Sequence, residues 1–93
     1  MYAVTVVLHI KPGMMQAFMP LMVKNAQSSR DVEPGCQMFD VCRDEDVVFL
    51  YEVYDSRAAF DAHLASAHFR DFDAAVVDLV ADKQVRLFHE VIR

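Results

Sequence analysis

Between Tyr2 and Lys11 every even position is apolar: Tyr2, Val4, Val6, Leu8 and Ile10. A period of two carried by β-branched and aromatic residues specifies a β-strand with one face in a core. The odd positions Ala3, Thr5, Val7 and His9 are mixed but carry no strong charge. Both faces of this strand are therefore expected to be covered.

Pro12-Gly13 is a turn signal, and beyond it the period changes. From Met14 to about Arg30, the positions Met14, Phe18, Leu21, Met22, Asn25 and Ser29 share one helical face. Pro20 lies inside that helix, removes one backbone bond and is expected to kink it. Glu33-Pro34-Gly35 ends the element. Cys36 to Arg43 and Val47 to Tyr54 read as two strands joined by the polar turn Arg43-Asp44-Glu45-Asp46. Ser56 offers an N-cap for a short helix, about Arg57 to Leu64. After a break at Ala65-Ser66-Ala67, a longer helix is predicted from His68 to about Ala81, and a last strand from Gln84 to Ile92.

The order is β-α-β-β-α-β, with the second helical region in two pieces. Right-handed crossovers then give an α+β, ferredoxin-like (split β-α-β) fold, a four-stranded antiparallel sheet with helices on one face. The other face stays bare, with Val7, Phe39 or Met38, Leu50 or Phe49, and Phe88 or Leu87 on it. A bare face of this kind is an association surface. A second copy packed sheet to sheet is the simplest cover, so a homodimer is expected, and nothing in the pattern limits assembly to two copies.

Bulk properties narrow the function. The chain has 93 residues and reads as a single domain spanning 1–93. A chain this short buries roughly two-thirds of its unfolded surface, yet 55% of it is hydrophobic. That excess suits a subunit interface or an apolar pocket. The net charge of −5 and the scattered Lys and Arg residues argue against nucleic-acid binding. No apolar run approaches the ~18 residues of a membrane span, and the N-terminus has no basic leader, so a cytoplasmic location is expected. Cys36 and Cys42, six apart on one strand, would be roughly 20 Å apart on the same face, too far for a disulfide. Both read as small apolar residues.

Three polar residues stand where the helical pattern asks for apolar ones: Asn25, His63 and His68. Glu52 likewise interrupts an apolar strand. Each has a plain alternative. Asn25 could bond backbone in a kinked helix, the histidines could cap the helix break, and Glu52 could pair with Arg86. Together they fit a small-molecule pocket between helices and sheet, in which His63 or Glu52 could act as a general base. The histidines lack the local spacing of a metal set, so no metal is expected. With Gly13 and Gly35 alone, no phosphate cradle can be built, so no nucleotide cofactor is expected. The methionines at 14, 15, 19, 22 and 38 read as packing residues that can also line an adaptable pocket, and Met22 is taken as one that does.

Glu33-Pro34-Gly35-Cys36, then FDVCRDED, then FLYEVYDSRAAFDAHLASAHFRDF to Phe72, resembles the antibiotic biosynthesis monooxygenase (ABM) superfamily. The most specific part is Tyr51, Glu52, Tyr54, Ser56, Ala59, Phe60, His63, His68 and Phe69. The resemblance implies a dimeric α+β barrel and, from characterised members, cofactor-free oxidation of quinols or polyphenolic anthrones. It also extends to an enzyme that processes the phosphorylated autoinducer-2 signal and, more distantly, to haem-degrading proteins. Asn25 and His63 match positions where the family places pocket residues. The chain has no tryptophan, which several monooxygenase and haem-degrading members use, and this counts against haem degradation.

The expected activity is therefore oxidation of a small phenol or quinol by O₂ with no cofactor. His63 or Glu52 would be the base and Asn25 the oxyanion donor, with His68, Tyr51, Tyr54, Phe69, Phe72 and Met22 around the substrate. Two alternatives stay open on the residues alone: an isomerase or degradative enzyme for a small hydroxy-ketone, and a non-catalytic dimeric binding module.

Overall fold

The computed structural model describes residues 1–93. Strand β1 (Tyr2–Ile10) is followed by helix α1 (Met15–Val32), strands β2 (Cys36–Asp44) and β3 (Val47–Tyr54), helices α2 (Arg57–Ala65) and α3 (Ala67–Val76), and strand β4 (Val80–Phe88). The strands form one antiparallel sheet in the order β2-β3-β1-β4. This is the predicted ferredoxin-like α+β arrangement.

The even face of β1 looks toward the helices. Tyr2, Val4, Val6, Leu8 and Ile10 are all buried, and they cluster with Phe18, Met22, Ala26, Phe39, Val48, Leu50, Tyr54 and Phe60. Register then assigns every other strand. Val4 pairs with Glu52 and Leu87, Val6 with Leu50 and Val85, and Leu8 with Val48 and Lys83, so these residues share the helix-facing side. The opposite side carries Val7, Met38, Phe49, Tyr51, Arg86 and Phe88. Each open choice of parity is thereby resolved: Met38 rather than Phe39, Phe49 rather than Leu50, Phe88 rather than Leu87.

Three expectations need correction. The third helix stops at Val76, and β4 starts at Val80 instead of Gln84 and ends at Phe88 instead of Ile92. Leu79 and Val80 satisfy a helical stripe and a strand equally well. Pairing settles it, because Val80 completes the ladder opposite Ile10. Helix α1 runs through Pro20 as one element, which a kink at that position does not interrupt. Pro20 is exposed, so water can serve the carbonyl that its missing N–H leaves free. Cys36 and Cys42 lie on opposite faces, because the register shifts between Cys36 and Met38. Cys36 pairs across from Tyr54 and is half-buried, whereas Cys42 pairs across from Phe49 and is exposed. Burial pushes the Cys36 thiol up to about 11. Ser66, and not a histidine, caps the helix break. Its hydroxyl accepts from the Phe69 N–H and donates to the His63 carbonyl at 2.6 Å.

Two local features place α2. Ser56 is its N-cap, as predicted, with its hydroxyl accepting from the Ala59 N–H at 3.2 Å. Gly35, at the entry to β2, lets the two elements approach closely. A Cβ at that position would stand 2.6 Å from the Cβ of Ala59. No helix is long and apolar enough to cross a membrane.

Candidate functional site

His63 sits in the last turns of α2 and is 2% exposed. Aromatic rings surround it: Phe69 at 4.9 Å between centroids, Tyr54 at 5.4 Å, Phe39 at 5.9 Å and Phe60 at 6.2 Å. Its Nδ1 is 2.8 Å from Oε2 of Glu33, the C-cap residue of α1. A longer approach of 3.4 Å joins the same nitrogen to the Ser29 hydroxyl, which itself donates to the Asn25 carbonyl at 2.8 Å. With Nδ1–H donated to the carboxylate, Nε2 carries a lone pair and makes no hydrogen bond within the chain. Burial lowers the His63 pKa; the Glu33 hydrogen bond and charge oppose that shift, and His68 adds to it.

Glu52 lies on the sheet, 4% exposed. The Tyr54 hydroxyl, two residues along the same strand face, donates to its Oε1 at 2.5 Å. Burial pushes the Glu52 carboxyl up to about 7, against the opposing pull of the Tyr54 hydrogen bond and of Lys83. Burial and the nearby Glu52 carboxylate hold the Tyr54 phenol far above its usual range. Arg86 is not the partner of Glu52, since it pairs across from Thr5 on the outer face.

The space between these groups is a chamber of about 290 Å³, lined by Val4, Val6, Glu52, Phe60, His63, Phe69, Lys83 and Val85 among others. A smaller chamber of about 40 Å³ shares Val6, Glu52, His63, Phe69 and Lys83 with it and adds Asn25, Phe39 and Phe72. So one apolar space holds an imidazole with a bare nitrogen, a carboxyl that titrates near neutrality and an ammonium group. Asn25 is 3% exposed, and its Oδ1 has no hydrogen-bond partner, so its side chain is not spent on local backbone.

The fold does not gather all the expected residues. Tyr51 pairs across from Thr5 and points to the outer face, away from His63. Tyr54 is fully buried as the partner of Glu52 and lines neither chamber. Met22 is a core residue, 0% exposed, that also lines neither. His68 lines a separate cleft between α1 and α3.

Three participants were not singled out from sequence. In the sequence Lys83 falls in the connection before the predicted last strand, although its alternation with Val85 and Leu87 carries the signal. Ser29 appeared only as a stripe position. Glu33 stands in the sequence as part of a terminating turn and at the head of the family-like stretch, with no role attached. A carboxylate at a helix C-terminus opposes the helix dipole, and that misfit was the available signal. Local spacing reveals only ligands that are neighbours in sequence, whereas Glu33, His63 and His68 converge from separate elements.

Comparison with known proteins agrees with this fold. A family model described as antibiotic biosynthesis monooxygenase matches residues 1–75. The chain belongs to that family. A Nitrosomonas europaea protein named for the same family superposes with a TM-score of 0.90 at 29% identity, covering 99% of this chain and 100% of that one. Rv0793 from Mycobacterium tuberculosis superposes with a TM-score of 0.91 at 25% identity, covering 99% and 96%. No curated protein matches the chain.

Proposed function

We propose that this chain is a cofactor-independent monooxygenase that oxidises a small phenol or quinol with O₂. The observation that carries the reading is the joint placement of His63, Glu52 and Lys83 around one apolar chamber. Such a chamber accepts an aromatic ring through a mouth edged by the exposed Leu64, Lys83, Val85 and Leu87. Nε2 of His63 takes the phenolic proton, while Glu33 holds the ring through Nδ1. The Lys83 ammonium and the Asn25 amide face the phenolate that forms.

The phenolate passes one electron to O₂, and the radical pair combines at a ring carbon. The proton held by His63 returns to the peroxide. Glu52, as the carboxylate, then takes the carbon-bound proton as the O–O bond breaks, and passes it to the departing hydroxide to give water. Phenol and O₂ thus give quinone and water, with both oxygen atoms accounted for. Oxygen uptake by metal-free protein with a panel of quinols and anthrones tests this. Uptake no faster than the uncatalysed rate would overturn it.

The working unit proposed is a homodimer joined through the outer sheet face that carries Val7, Met38, Phe49 and Phe88. Phe49 and Phe88 are 37% and 38% exposed, and such a face is normally covered. The two unpaired cysteines suit a reducing, cytoplasmic compartment.

A further inference from the structure

Glu33 ends α1, His63 lies near the end of α2, and His68 is the second residue of α3. Their donor atoms all fall within 4.8 Å of one another. Oε2 of Glu33 is 2.8 Å from Nδ1 of His63 and 2.5 Å from Nε2 of His68. A single carboxylate oxygen thus serves two imidazoles. The other oxygen, Oε1, is buried with no partner. The Glu33 side chain is only 10% exposed, so this orphan acceptor has no ready access to water. Hydrogen bonding alone therefore explains half of the carboxylate.

The geometry points to a binding site for one late first-row divalent cation, held by Glu33, His63 and His68. Two imidazole nitrogens and one carboxylate oxygen form the donor set of open, three-ligand zinc sites. Nitrogen donors favour Zn²⁺, Co²⁺ or Ni²⁺ over Mg²⁺ and Ca²⁺, which prefer oxygen. Bonds of ~2.0–2.1 Å in a tetrahedral frame place ligand atoms about 3.3 Å apart. The two contacts need to open by less than an ångström to admit the ion. His68 is the ligand free to move, with a side chain 18% exposed against 3% for His63. It also lines the cleft of about 430 Å³ between α1 and α3, which supplies an entry path. Neutral histidines release no proton on binding, because each ring shifts its hydrogen to the other nitrogen.

That shift has a consequence, which rests on the function proposed above. A cation on Nδ1 of His63 leaves the proton on Nε2. The nitrogen that faces no protein partner is then a donor and no longer a base. The cation and the proton-abstracting state exclude each other, so the filled site is an inhibited state.

The test is titration of metal-stripped protein with Co²⁺, followed by its visible absorption and by calorimetry, with Mg²⁺ as competitor. Wild type is expected to bind one Co²⁺ per chain, undisturbed by Mg²⁺. His68→Ala and Glu33→Ala are expected to weaken binding by at least about tenfold, and His89→Ala to leave it unchanged. Should Glu33→Ala not fold by circular dichroism, His68→Ala, at a part-exposed position, carries the test alone. Binding equal in wild type and His68→Ala, or no binding in wild type, overturns the site. Zn²⁺ is then added during oxygen uptake. Loss of turnover restored by a chelator supports the exclusion, and unchanged turnover at saturating Zn²⁺ overturns it. Absence of turnover in metal-free protein would count against the proposed reaction, while the Co²⁺ titration would still read out the site.

Discussion

Nδ1 of His63 and Oε2 of Glu33 stand 2.8 Å apart although 30 residues separate them in sequence. This contact ties the end of α1 to the end of α2 and fixes which nitrogen of the imidazole is bare. In the proposed reaction Glu33 is a positioning residue, acting on substrate only through His63. Glu33→Ala is expected to lower kcat by about 10–100-fold, the usual cost of removing an orienting partner of histidine. Glu33→Gln keeps a carbonyl oxygen for the Nδ1–H and is expected to recover part of the loss. A partner needed only for folding would show equal kcat in all three proteins once folded.

Glu52 makes stability depend on pH. Its folded pKa of about 7 lies above the ordinary 4.5, so between these values the folded chain holds more protons than the unfolded one. The protonated carboxyl faces Tyr54 on its own strand, Lys83 on β4, and His63 and Glu33 from the helical layer. Its contribution is fully present below pH 4.5 and is lost as pH rises through 7, on the order of 3 kcal/mol in all. Glu52→Gln should flatten that part of the profile in urea unfolding at pH 5 and pH 8. An unchanged slope would show that Glu52 ionises normally in the folded chain.

Gly35 holds α2 close to the sheet, with a virtual Cβ 2.6 Å from that of Ala59 and 3.6 Å from its Cα. Neither neighbour can swing away as a long side chain could. Gly35→Ala is expected to cost about 1–3 kcal/mol by overpacking. Combining it with Ala59→Gly removes one of the clashing methyls and should recover most of that loss in denaturant titration. Additive losses would place the strain elsewhere.

The outer sheet face predicts assembly. Light scattering should give twice the chain mass of 10.6 kDa for wild type, or a multiple of that dimer. Phe49→Lys sets a charge in the middle of the apolar face and should give monomers that keep the fold by circular dichroism. A monomeric wild type would remove the dimer from the account.

Most of the sheet was legible because β1 alternates without a break and Val47 to Tyr54 is bounded by turn residues on both sides. The end of α3 was not, because Leu79 and Val80 suit either period and only pairing with Ile10 decides between them. Among site residues, Asn25, His63 and Glu52 stood out as polar groups on apolar stripes. Glu33 did not, because a charge beside a turn looks solvated until the chain folds around it, and Lys83 did not, because it stays exposed and only its register opposite Leu8 turns it to the helix-facing side. Tyr51 was misplaced because strand parity, which is not visible in an apolar run, decides the face.

His63 is the proposed base, and oxygen-electrode kinetics on metal-free protein read its role. With an accepted quinol or anthrone, wild type should consume one O₂ per product formed, and His63→Ala should lower kcat by about 10²–10⁴-fold. Full turnover in a folded His63→Ala variant would contradict the assignment of His63 as the base.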